Sequence, residues 1–280
     1  MTVVVGCSAR WGHERSPCQD WFTVADENDV IDVGASFAPS GWLPILLKLA
    51  ATVYVNFVWF MELLDYDQKG MFFAFLSNWA LTFSMVYTWT SLVNSFLGAK
   101  QPRRYTDNVP GRIAIQWYLF NLAALTSMFA IILWWYDVYD KGETTIHFLN
   151  LSIHGGTLPV LLLEGFVVNR IPIRRFFWWG TGLPFGLAYG LWTWIHSGTD
   201  IGNPNEPDSD LLYDRLDWED EWGKTLAIVL VSVLIIAPIL QSILFCLSLY
   251  GMPICCGRNI RRYTDEESDD SQKSDLSESE

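Results

Sequence analysis

Apolar residues in this chain fall into six long blocks separated by short polar segments, not into the brief amphipathic runs of a soluble domain. The blocks run from Leu43 to Leu63, Met71 to Leu97, Ile113 to Tyr136, His147 to Val168, Phe176 to Ile195 and Leu226 to Tyr250. A helix that crosses a bilayer needs about 20 mainly apolar residues. Each block meets that length, so the pattern predicts an all-α, polytopic transmembrane bundle of six helices. It divides the chain into a polar N-terminal segment (1–40), a six-helix transmembrane domain (41–252) and an acidic tail (253–280). The tail from Thr264 is Ser, Asp and Glu with almost no apolar side chain, and such a segment is expected to be disordered.

Charge orders these elements. Lys100, Arg103, Arg104 and Arg112 lie between blocks two and three, Arg170, Arg174 and Arg175 between four and five, and Arg258, Arg261 and Arg262 after block six. Basic residues in short loops mark the cytoplasmic side. With six spans all three groups share one side, and both termini are expected there. The opposite loops are poor in Lys and Arg. The longest of them, from His196 to Gly223, holds nine acids, Pro204 and Pro207. Composition agrees with this picture: 51% of the 280 residues are hydrophobic, 18% are charged, and there are 15 Trp. A soluble domain carries about a quarter charged residues. The net charge of −13 comes mainly from the acidic loop and the tail, and no basic face suggests a nucleic-acid partner. The first forty residues lack the apolar core of a signal peptide, which leaves targeting to the first span.

Polar groups at membrane depth are costly and are functional candidates by default. Those in the blocks are Lys48, Ser77, Asn78, Asn94, Asn121, Asn150, His154 and Glu164. Lys48 is near a span end and is expected to snorkel. Asn94 and Asn121 are expected to be hydrogen-bond glue between helices. Glu164 is expected either to pair with Arg170 or Arg174 or to act as a buried functional acid. Ser77 lies six positions into the second block and His154 seven into the fourth, and these spans run in the same direction. At about 1.5 Å per residue both lie roughly 9–11 Å below the same surface. A hydroxyl beside an imidazole is the basic unit of nucleophilic catalysis. The bland reading is a packed histidine and an interface serine.

The segment from Asn150 through His154, Leu158 and Pro159 to Glu164 carries the pattern N-x-x-x-H-x-x-x-L-P with an acid ten residues after the His. It resembles the core of the androgen-induced and androgen-dependent TFPI-regulating family of membrane proteins. The stretch from Tyr189 to His196 is similar to that family's fifth span, and Phe75 to Trp79 to its second. The latter stretch and Tyr213 to Trp218 are also similar to rolling-stone proteins. The likeness covers residues 43 to 250 and leaves out both termini. It implies a six-span intramembrane hydrolase of fatty acid esters of hydroxy fatty acids, with no metal or other cofactor and with membrane lipid as substrate. The family uses an intramembrane Thr and His. His154 matches the His, and Ser77 stands where the family has Thr. His154 would then be the base, Ser77 the nucleophile, and Asn78 or Asn150 the oxyanion donor. The rolling-stone likeness implies instead a non-enzymatic protein of cell adhesion, fusion or scaffolding. Either suits an endoplasmic reticulum, other endomembrane or plasma-membrane protein.

Two further features stand outside that core. Cys255 and Cys256 follow the last apolar block beside three arginines, where the pair is either palmitoylated or unmodified. The tail hydroxyls Thr264, Ser268, Ser271, Ser274, Ser277 and Ser279 sit among acids, and are either phosphorylation sites or a solvated tail.

Overall fold

The computed structural model describes residues 42–65, 69–98, 111–138, 147–173, 177–199, 203, 211–213 and 215–256, with side chains through Ser248. The N-terminal segment, the acidic tail, the Cys255 and Cys256 side chains and most of the basic-loop residues lie outside this set. All regular structure among the described residues is helical, with no strand.

Helix α1 spans Trp42–Asp65. A 3₁₀ turn, Lys69–Ala74, leads into α2, Leu76–Gly98. Helix α3, Gly111–Leu133, ends in a wide π turn, Trp134–Val138. Helix α4, Phe148–Val168, alternates α and π turns. Helix α5, Leu183–Ser197, follows a π turn, Trp178–Gly182. Helix α6 starts at Trp222–Val231 and continues through a π turn, Ser232–Ile236, into Ala237–Cys256. Four of these, α1, α3 with its π turn, α4 and α6, are long and apolar enough to cross a membrane. They are compatible with a multi-pass membrane protein. The second and fifth blocks are helical too, over Leu76–Gly98 and Leu183–Ser197, but do not join that set.

Side chains are distributed as lipid, not water, would select. Large apolar groups point outward along whole helices: Leu46, Val53, Phe57, Phe60 and Leu64 on α1, and Leu230, Leu234, Ile239 and Ile243 on α6 are all exposed. Contiguous apolar surface on this scale has no place on a soluble monomer. The polar residues point inward instead, with Asn78, Ser84, Ser91, Asn94, Gln116 and Asn121 all buried.

In lipid, helices associate through close packing and hydrogen bonds, since burial against a neighbour gains little over burial in acyl chains. Helix α3 is the centre. Trp117, Phe120, Ala123 and Ala124 are fully buried there against Tyr87, Leu161, Phe177 and Leu244 of four other segments. Asn94 donates to Gln116 Oε1 (2.9 Å) and joins α2 to α3. Asn121 donates to Thr181 Oγ1 (2.7 Å) and accepts from Gln241 (2.8 Å), tying α3 to the segment before α5 and to α6. Both asparagines are thus the interhelical glue the sequence suggests.

Helices α5 and α6 meet through small residues. A Cβ built on Gly186 would sit 2.7 Å from Val233 Cγ2, and one on Gly190 2.8 Å from Val229 Cγ1. This is a Gly-x-x-x-Gly spacing that lets two backbones approach. Gly190→Leu should therefore wedge the helices apart and destabilise the bundle by about 1–3 kcal/mol, the usual range for overpacking. A lowered thermal midpoint in detergent would report it, and an unchanged midpoint would mean the contact is not tight.

Candidate functional site

Helix α4 carries two π turns, Ser152–Gly156 and Leu163–Val168. Gly155 and Gly156 weaken helical preference, and Pro159 has no N–H to donate. The chain responds with a π turn over Ser152–Gly156, which contains His154. Turns of this kind recur at functional sites. A carbonyl left over by the missing proline donor needs another partner. The His154 carbonyl takes one from across the helix pair, the Trp135 indole N–H at 3.2 Å.

The His154 imidazole is buried and lies flat on the Trp134 ring, with centroids 4.6 Å apart and planes 8° apart. Its Nδ1 is buried with no hydrogen-bond partner among the described residues. A buried polar atom without a partner is uncommon and calls for a role.

Ser77 is half-buried near the start of α2. The six residues assumed to rise as α-helix from Met71 do not: the chain is 3₁₀ to Ala74, bends at Phe75, and only then becomes α. The depth derived from a uniform 1.5 Å rise is corrected accordingly, because a 3₁₀ turn advances about 2.0 Å per residue. Irregular backbone inside a bundle must satisfy its carbonyls internally, and here it does. Asn78 Nδ2 donates to the Phe72 carbonyl (2.7 Å), Trp79 Nε1 to that of Phe73 (2.7 Å), Tyr189 Oη to that of Ala74 (3.1 Å), and the Asn78 N–H to that of Phe75 (3.2 Å). Ser77 therefore follows a fixed break. Asn78 is buried, and its Oδ1, like several other buried polar atoms among the described residues, has no hydrogen-bond partner there. Asn150 is half-buried on the first turn of α4.

Helices α2 and α4 touch at this level. Leu81, one turn beyond Ser77, and Ile153, next to His154, share an apolar cluster with Val55 and Val58 of α1. No hydrogen bond joins Ser77 to His154 among the described residues. The neighbouring hydroxyls are engaged: Thr82 donates to the Asn78 carbonyl (2.7 Å) and accepts from Trp59 (3.0 Å), and Thr157 donates to the Ser152 carbonyl (2.9 Å).

No protein-family model matches the chain, and neither does any curated protein or solved structure.

A second polar centre lies further along α4. Glu164, 3% exposed, accepts from Tyr87 Oη, from Ser91 Oγ and from Asn169 Nδ2 (2.5 Å). Asn169 also donates to Tyr87 Oη (3.1 Å) and Ser91 Oγ (3.0 Å). Lys48 does not snorkel. It is 1% exposed, donates to Ser95 Oγ (2.6 Å) and lies within electrostatic reach of Glu164. Glu164 thus takes these donors and not Arg170 as partners. The sequence offered Glu164 as one of several polar residues. It gave no sign of the cage, whose members come from α2, α4 and the turn after α4.

Proposed function

We propose that the chain is a six-span membrane protein that hydrolyses esters of hydroxy fatty acids within the bilayer, with Ser77 as nucleophile and His154 as general base. The observation that carries this reading is the partnerless Nδ1 of a buried, Trp-stacked imidazole, on a helix that touches α2 one turn from Ser77.

His154 takes the proton of Ser77 Oγ, which attacks the ester carbonyl carbon. The bond to the leaving oxygen breaks, and His154 returns the proton to release the hydroxy fatty acid. Water, deprotonated by the same imidazole, attacks the acyl-serine carbonyl; the bond to Ser77 Oγ breaks, the imidazolium returns the proton to that oxygen, and the fatty acid is freed. Asn78 Nδ2 already serves the Phe72 carbonyl, so one amide hydrogen is left for an oxyanion, while its Oδ1 is an acceptor suited to orient the water. Asn150 is the other donor candidate. The Ser77–His154 hydrogen bond forms as substrate binds, since catalytic contacts are often loose without it. Purified wild-type chain in lipid should hydrolyse a fatty acid ester of a hydroxy fatty acid, and Ser77→Thr should retain or raise the rate. A wild-type preparation without turnover would remove the reading.

A second reading is a non-enzymatic protein of adhesion, fusion or scaffolding. The missing Ser77–His154 hydrogen bond favours it, and the same assay decides between the two.

In either case we place both termini in the cytoplasm and the 196–223 loop on the exoplasmic side, from the Arg and Lys pattern. Epitope tags at Thr2 and near Asn203, read in selectively permeabilised cells, should react from opposite sides. Reactivity of both from the cytoplasm would exclude the six-span topology.

A further inference from the structure

Helices α3 and α4 meet turn against turn. The π turn that ends α3, Trp134–Val138, lies against the π turn Ser152–Gly156 of α4. Consecutive tryptophans of the first turn hold one histidine of the second. Trp135 Nε1 donates to the His154 carbonyl (3.2 Å) and fixes the backbone. Trp134 is buried and carries the imidazole flat on its ring, with centroids 4.6 Å apart and planes 8° apart. The two indoles meet edge-on, 4.7 Å apart at 88°, so the orientation of one constrains the other. On another side of the same turn α1 closes in. The Tyr54 hydroxyl comes so near Gly156 that a Cβ there would clash with it.

No hydrogen bond holds either ring nitrogen of His154 among the described residues. A general base is ordinarily oriented by a hydrogen bond from a third group. The acid of α4, Glu164, lies about 15 Å further along the helix at the ordinary rise, and its carboxylate takes Tyr87, Ser91 and Asn169 as donors. What fixes the imidazole plane is the indole face. The stack has a second consequence. When Ser77 Oγ gives its proton to the ring, a positive charge forms on a buried imidazolium, where charge is costly unless compensated. The face of an indole is the negative side of its quadrupole and attracts a cation lying on it. The contact therefore strengthens as the proton moves. An interaction that grows toward the transition state raises kcat and leaves KM nearly alone.

We propose that Trp134 is a positioning residue for His154: it holds the imidazole plane and stabilises the imidazolium formed when Ser77 is deprotonated. It fills the place that a carboxylate takes in a Ser-His-Asp triad, and Trp135 supplies the backbone half of the same support. The inference rests on the hydrolase reading.

The test uses the full chain in nanodiscs, with a fatty acid ester of a hydroxy fatty acid as substrate. Mono-, di- and trifluorotryptophan are placed at position 134 alone, because fluorine draws electron density from the ring face with little change in shape. Turnover (kcat) should fall stepwise, roughly tenfold over the series, the size of one desolvated cation–π contact. KM and the thermal midpoint should stay near wild type. Trp134→Leu removes the face and should lose more, with part of the loss recovered in Trp134→Phe. A residue that only fills space would give the same kcat along the fluorinated series, and that result would overturn the proposal. Proton NMR of histidine-labelled chain reads the stack without turnover. One imidazole signal, identified by its loss in His154→Gln, should lie upfield in the indole ring current and move downfield in Trp134→Leu. A wild-type chain with no such signal would also overturn the proposal. An upfield signal without any wild-type turnover would end the hydrolase reading and Trp134's part in it, whereas turnover with a flat series ends the role of Trp134 alone.

Discussion

Replacing His154 by alanine should abolish turnover of a hydroxy-fatty-acid ester, a loss of roughly 10²–10⁴-fold if the imidazole is the general base. Membrane insertion should survive, because the rest of α4 is apolar enough to span without it. Ser77→Ala should be equally inactive, and the double variant no worse than either single one, because a nucleophile and its base act as a unit. Ser77→Thr keeps the hydroxyl and adds a methyl that narrows its rotamers, so it should work at least as well as Ser77. Activity retained in Ser77→Ala but lost in His154→Ala would move the nucleophile elsewhere. Thr157, which donates within its own helix to Ser152, would then come before Thr82, whose oxygen is held from two sides.

Glu164→Ala should have the opposite profile, a large loss of stability with a smaller effect on the chemical step. Three donors converge on the carboxylate, and the buried Lys48, which donates to Ser95, lies within electrostatic reach of it. Removing one member of a buried charged set leaves the others desolvated and unpaired, at a cost of about 3–5 kcal/mol. The double variant Lys48→Met, Glu164→Leu should recover much of that loss, since apolar replacement of a whole buried pair is often neutral or better. Thermal denaturation in detergent, with surface expression as a second readout, measures both. A Glu164→Ala chain as stable as wild type would show that the cage contributes specificity and not stability. On turnover, Glu164→Gln should be mild, because residue 164 lies about 15 Å along the helix from His154 at the ordinary rise.

What the sequence revealed and what it hid differ for physical reasons. Hydropathy depends on composition over about twenty residues, so the helical blocks were legible, and so was the gluing role of Asn94 and Asn121. The 3₁₀ break before Ser77 was not legible. Met71, Phe72, Phe73 and Ala74 are as apolar as a helix start, and what holds the break open is the side chains of Asn78, Trp79 and Tyr189. Lys48 was misread for a related reason. Snorkelling is the right expectation for a lysine near a span end, unless an acid waits inside the bundle, and Glu164 is more than a hundred residues away. His154 stood out in the sequence as an ionisable group at membrane depth. Its Trp134 neighbour did not, since stacking across two helices leaves no local pattern. The segment 211–221 showed in the sequence as part of an acidic loop and in the Tyr213 to Trp218 likeness. Its function in the fold comes from three apolar or aromatic anchors, Leu212, Tyr213 and Trp218, set among the acids.

The most direct test of the central claim is covalent capture of the nucleophile. Purified wild-type chain in lipid would be treated with a fluorophosphonate that labels activated serine and threonine hydroxyls, and the adduct located by peptide mass spectrometry. The account predicts a single adduct on Ser77, lost in both Ser77→Ala and His154→Ala. No adduct on the wild type, or labelling that persists unchanged in Ser77→Ala, would contradict it.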